Sequence, residues 1–124
     1  MVDSRTRGLP PSWPRAVPPP AGEGWVRDAS AWLLDVCPPE YRGYEVLRRH
    51  PRVLAAFAAA HVAALRRAAT DGLARVRTLL AAEDPGTVSA AVDVLETEQA
   101  RLELLERSVG AVRFALEAVP RSTR

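Results

Sequence analysis

The placement of proline constrains this chain more than any other feature. Eleven prolines occur in 124 residues, and they are bunched. Six fall between Pro10 and Pro20, two are the pair Pro38-Pro39, and Pro51, Pro85 and Pro120 stand alone. A proline inside a helix removes a backbone hydrogen bond and clashes with the preceding turn. The two longest proline-free intervals, 52–84 and 86–119, are therefore where long helices fit. Both are rich in helix formers, above all Ala, which favours helix more than any other residue. Pro51 and Pro85 each suit the first helical turn, where a missing N–H is no loss. Asp84-Pro85-Gly86-Thr87 combines turn and N-cap chemistry. The reading is two helices, about 51–82 and 86–119, each roughly 50 Å long at about 1.5 Å per residue. Joined by one tight turn, they make a long antiparallel αα-hairpin.

The N-terminal third reads differently. PPSWPRAVPPP favours extended polyproline geometry, so residues 1–22 are expected to be a disordered or loosely docked tail, leaving 23–124 as a single helical domain. Pro11 and Pro14 form a PxxP unit that a proline-binding domain can take as ligand; a solvated tail is the simpler reading. Trp13 has no place on a periodic face, although an exposed Trp is costly unless it docks. From residue 24 to 36, Trp25, Ala29, Trp32 and Val36 recur at helical spacing, and Leu33 widens that face. Trp32 is expected in the core. Cys37 before Pro38 ends this helix, because the residue before proline disfavours helical backbone. A short helical stretch, about 44–49, leads to the break at His50-Pro51. The fold class is thus all-α: a long hairpin with a short Trp-containing helix packed on its open end and a Pro-rich tail.

Periodicity also predicts the register. Facing positions in an antiparallel pair have numbers with a constant sum, here about 171 if the turn centres on Pro85-Gly86. The stripe Val92, Leu95, Gln99, Leu102, Leu105, Val109, Val112, Leu116 and Val119 has heptad-like spacing. It then faces Leu79, Val76, Gly72, Ala69, Leu65, Val62, Ala58, Ala55 and Pro51, large residues against mostly small ones. Charge points the same way. Residues 47–77 hold seven Arg and one acid, Asp71, while residues 83–106 hold seven acids and one base, Arg101. Candidate pairs are Arg77–Asp93, Arg75–Glu96, Asp71–Arg101, Arg67–Glu103 and Arg66–Glu106. Exposed pairs contribute only about 0–1 kcal/mol each, so their role is to set register.

Composition removes several function classes. Asn, Ile and Lys are absent and 22 residues are Ala, the mark of a high-GC bacterial gene; the 17 Arg are first a codon effect. Without Asn there is no N-glycosylation sequon. A lone cysteine, Cys37, allows no intramolecular disulfide and no Cys-based zinc site, and it reads as a buried small side chain. No apolar run reaches the roughly 20 residues of a membrane span, and the N-terminus lacks the apolar core of a signal peptide. A cytoplasmic location without membrane attachment is expected. His50 and His61 stand three helical turns apart, too far to share a metal, and Cys37, Glu40 and His50 converge only through an unknown loop. Gly22-Glu23-Gly24 follows prolines rather than a strand, so it is no nucleotide loop. No catalytic, cofactor or metal site is expected, and the chain reads as a non-enzyme.

Two surfaces remain. A seam of Ala, Val and Leu buries little per layer, so the hairpin needs further cover. The Trp25/Trp32/Leu33 helix is expected to supply it at the open end, near Leu54, Phe57 and Phe114. The turn end, with Leu73, Leu80, Val88 and Val94, is then the candidate protein interface, for a partner or a second copy in a homodimer. The alternative is a nucleic-acid-associated role through an anion-binding patch of Arg48, Arg49, Arg52, Arg113 and Arg121. A third class, a small enzyme or ligand-binding bundle, rests only on the Trp helix roofing a pocket.

Overall fold

The computed structural model describes residues 8–120, and among them every regular element is helical. Helix α1 spans Trp25–Val36, a short 3-10 turn covers Pro39–Gly43, α2 spans Glu45–Arg49, α3 Pro51–Leu79 and α4 Pro85–Glu117. The α3–α4 pair is the expected hairpin, and α1 packs chiefly on α3 at the open end.

The helix ends follow local chemistry. Gly24 enters α1 at φ 91°, a left-handed conformation glycine adopts at little cost. Cys37 leaves α1 with extended backbone (φ −84°, ψ 164°) before Pro38. Asp84 caps α4: its Oδ1 accepts the Thr87 N–H at 2.9 Å, and Pro85 occupies the first turn. That capping hydrogen bond holds the exposed Asp84 carboxyl below the usual carboxylate range. The expected helix 51–82 stops at Leu79. Leu80 closes the last turn by donating to the Val76 carbonyl at 2.9 Å, and the next residues form the connector. In consequence Leu79, expected in the seam, points to solvent at 67% exposure, and Leu80 takes the half-buried place.

The core sits at the open end. Ala29, Leu33 and Cys37 of the first helix meet Leu47, Leu54, Ala55, Ala58 and Val62 on one side and Val109, Val112 and Leu116 on the other. Ala at 55 and 58 lets the helices approach closely while Leu and Val from opposite elements fill the gaps. Trp25 is the buried tryptophan, and Trp32 only half so. Phe57, expected under α1, is half exposed and meets the Tyr41 ring edge-on at 6.4 Å.

The Pro-rich segment, where described, takes the docked form rather than an extended one. It folds through successive turns: Trp13 N–H donates to Pro10 O at 2.9 Å and Val17 N–H to Pro14 O at 3.2 Å. Trp13 Nε1–H donates to Val17 O at 2.8 Å, and its ring lies 6.4 Å from that of Trp25. Val17 joins the core at 2% exposure. Trp13 and Val17, four apart, anchor the segment, Val17 by entering the core and Trp13 by its ring contact with Trp25. Residues 1–7, the rest of the expected tail, lie outside the described residues.

Candidate interaction surface

The hairpin has two long faces, and they differ in chemistry. One is polar and ties α3 to α4. Gln99 Nε2 donates to Thr70 Oγ1 at 2.9 Å. Arg66 Nε lies 3.0 Å from Glu106 Oε1, an ion pair rather than an aligned hydrogen bond. At the open end, Arg52 Nε donates to Leu116 O and its Nη2 to Glu117 O, both at 3.2 Å, and also to Val119 O. Leu116 and Glu117 belong to the last turn of α4, where carbonyls lack i+4 donors within the helix, and Val119 lies just past its end. The Thr70–Gln99 bond and the Arg66–Glu106 pair place facing numbers at sums of 169 and 172, on either side of the expected 171.

The other face carries large apolar side chains among small and polar ones, and it is only half covered. On α3 the positions 54, 58, 61, 65, 68, 72, 75 and 79 recur by alternating fours and threes, a second heptad stripe beside the α4 seam. On α4 the positions 94, 97, 101, 104, 108, 111 and 115 do the same. At the open end these stripes are covered: Leu54 and Ala58 are fully buried and Ser108 nearly so, its hydroxyl donating to Leu104 O at 3.1 Å. Beyond the reach of α1 the same stripes lie open. Leu65 is 38%, Leu104 54%, Val94 65% and Leu79 67% exposed. A 12-residue α1 is about 18 Å long, against about 44–50 Å for the hairpin arms.

The four residues expected to form an interface at the turn are therefore split. Leu80 and Val88 line a shallow depression with Val92 and are half buried between the helices, as is Leu73. Val94 alone projects, beside Leu95 and Thr97. Leu65 and Leu79 were assigned to the seam by periodicity. Leu104 lies off that seam. The second stripe was the signal that identifies all three, and the Ala-rich composition of α3 masks it.

Of the arginines in the expected anion patch, three have partners within the fold among the described residues. Arg52 is spent on the α4 C-terminus. Arg49 pairs with Glu45 at 2.8 Å and Arg113 with Glu117 at 3.1 Å. Arg48 is exposed and has no ion pair among the described residues; Arg121 lies outside them. Of the five register pairs, only Arg66–Glu106 forms. Arg101 turns instead to Glu98 on its own helix with two hydrogen bonds, at 2.7 and 2.8 Å, which pull the Glu98 pKa down and raise that of Arg101. An intrahelical partner three residues away costs less side-chain freedom to hold than one across the hairpin.

Two further features bear on chemistry. A groove of about 820 Å³ runs between the Pro-rich segment and α4, walled by Trp13, Trp25 and Phe114, floored by Ala111 and Ala115 and edged by Arg107. Phe114, expected under α1, stands 77% exposed on its rim. Cys37 is buried, and burial pushes its thiol up, with nearby Arg42 acting in the opposite sense. Among the described residues no group of three or more His, Cys, Asp or Glu gathers to hold a metal. By length and composition α3 is one helix able to cross a membrane, with a mean hydropathy of 1.2 over its most apolar 18 residues; it is also the helix whose partner α4 carries the acids.

No protein-family model, curated protein or solved structure matches this chain.

Proposed function

We propose that the protein is a small, non-catalytic, cytoplasmic protein–protein interaction module. Its working surface is the open half of the apolar hairpin face, built on Leu65, Leu79, Val94 and Leu104. One observation supports this reading: past α1 the stripes continue uncovered toward the turn with four large apolar side chains exposed, Leu65, Leu79, Val94 and Leu104, among small and polar neighbours. Large apolar side chains grouped on one face of a soluble protein mark an interaction site, and a face already shaped to receive a helix fits a helical partner.

Tagged protein from native lysate, captured with and without nuclease, tests the proposal beside its alternative. Nuclease-resistant capture of a protein, lost in Leu79→Glu or Leu104→Glu while melting temperature holds, supports the interaction module. Capture that disappears on nuclease treatment and survives those substitutions favours the nucleic-acid alternative. The arginine commitments count against that alternative, since Arg52, Arg49 and Arg113 already have partners within the fold.

A further inference from the structure

We infer that the groove between the Pro-rich segment and α4 binds an acyl carboxylate, a single-chain amphiphile. Its carboxylate sits on Arg107, and its hydrocarbon chain lies along α4 between Trp13, Trp25 and Phe114. None of these residues belongs to the four side chains of the interaction surface, so this is a second site on the same molecule.

The groove has the shape of an apolar chain. Arg107, Ala111, Ala115 and Ala118 recur by fours and a three, so the floor follows one side of α4 and its C-cap. Eleven residues at about 1.5 Å each make it about 16 Å long. Alanine keeps the floor low, while Phe114 supplies a wall from α4 itself and Trp13 and Trp25 supply one from the Pro-rich segment and α1. Its volume of about 820 Å³ falls within the range of small-molecule sites, about 300–1,000 Å³.

One wall is fixed before any ligand arrives. Trp13 Nε1–H is already committed to Val17 O at 2.8 Å, and Val17 is held in the core. The indole is therefore locked in place with its polar atom satisfied, and it offers the groove apolar surface. Trp25 behind it is buried. Phe114 is the opposite case: its ring is exposed on the rim, and an apolar chain in the groove removes part of that ring from water.

Charge fixes the polar end of the ligand and its direction. Arg107 is the one ionisable side chain among the described lining residues. It makes no ion pair among the described residues, and its neighbour Glu106 is taken by Arg66. Helical side chains lean toward the helix N-terminus, which sets the guanidinium at the turnward end of the groove. The other end is the C-terminus of α4, where the helix dipole is negative and Arg52 already holds the carbonyls of Leu116, Glu117 and Val119. An anion is favoured at the Arg107 end alone. One guanidinium fork matches one carboxylate in both geometry and charge. The lining holds no second cation to balance the nearly double charge of a phosphate monoester.

Dodecanoate titrated into the full chain, followed by tryptophan fluorescence and by thermal melts, tests the site. Two of the three tryptophans line the groove. Binding should change their emission saturably, with one ligand per chain, and raise the melting temperature. Arg107→Gln should weaken dodecanoate by about tenfold or more and leave dodecanol, whose hydroxyl replaces the carboxylate, unaffected. Phe114→Ala should weaken both. Arg107 and Phe114 are exposed, so the ligand-free melts of these variants should match that of the wild type. Leu79→Glu, at the turn end of the hairpin, should leave dodecanoate binding unchanged. Absence of saturable dodecanoate binding overturns the site. Equal affinity for dodecanoate and dodecyltrimethylammonium, or undiminished dodecanoate binding by Arg107→Gln, overturns the carboxylate contact. Tighter binding of naphthoate than of dodecanoate overturns the acyl chain. Dodecanoate binding lost in Leu79→Glu but kept in Phe114→Ala overturns the groove and moves the ligand to the hairpin face.

Discussion

Replacing Arg52 separates a structural arginine from a ligand-binding one. Its guanidinium donates to Leu116 O and Glu117 O at 3.2 Å, and to Val119 O, so it closes the C-terminus of α4 from the first turn of α3. A hydrogen bond to a charged group contributes about 1.5–3 kcal/mol net, and a cation at a helix C-terminus about 0.3–1 kcal/mol. Partial exposure discounts the sum, so Arg52→Ala should destabilise by about 2 kcal/mol. For a chain of 124 residues that is a fall of about 8 °C in melting temperature. Arg52→Lys should recover less than half, because one ammonium lacks the fork that spans three carbonyls. Thermal melts by circular dichroism and urea titration check both variants. A melting temperature within about 1 °C of wild type for Arg52→Ala would refute the cap. An unchanged melt accompanied by loss of nucleic-acid capture would return Arg52 to the anion patch.

The remaining predictions concern other parts of the fold. Val17→Ala should destabilise by about 1–2 kcal/mol in urea titration, a cost that a solvated tail would not show. Cys37 should react slowly with a thiol reagent in native protein and rapidly in urea. Its raised pKa also makes stability fall as pH climbs past the ordinary thiol value of about 8.5, because only the unfolded chain ionises there; Cys37→Ala should remove that slope. The lowered pKa of Asp84 works in the acid direction: its contribution is present above the usual carboxylate range and lost as pH falls through the depressed value. Asp84→Asn keeps an N-cap side chain, so it should flatten the acid limb of a pH–stability profile.

Helix placement was legible because it rests on local chemistry. Prolines at 38, 51, 85 and 120 delimit elements wherever they fall, and the Asp84 cap acts within one turn. The α1 docking site was legible too, since only the open end offers Leu54 and Leu116 to Trp25, Ala29 and Leu33. What periodicity did not resolve lies where two stripes run side by side. On α3, positions such as 58, 65 and 72 satisfy both the α4 seam and the second face, and alanine gives no size signal to separate them. Leu65 and Leu79 were therefore assigned inward. Four of the five ion pairs did not form for a different reason: a long arginine chooses among several acids, and Arg101 takes Glu98, three residues away on its own helix. The docked Val17 was hidden by its neighbours, because proline density signals extended backbone while one valine and one tryptophan suffice to anchor it.

The alanine richness of α3 ties the fold to the surface. A helix of bulky residues can pack closely against one neighbour, whereas Ala55 and Ala58 let α3 hold α1 and α4 at once. That arrangement continues past residue 62 in sequence but not in structure. Ala64 and Ala68 are exposed and α1 has ended, so that between Val62 on α3 and Val109 on α4 burial is confined to the seam residues Ala69, Val76 and Leu102 and to Ser108. Burial is the main source of helix stability in proteins, so the turn half of the hairpin is the less stable half when alone. It is built nonetheless from strong helix formers with a capped turn, which preserves its shape without a third helix. On the proposed reading, a face kept straight by local propensity and left open by the chain's own topology would meet a partner already ordered, and preorganisation lowers the ordering cost of binding.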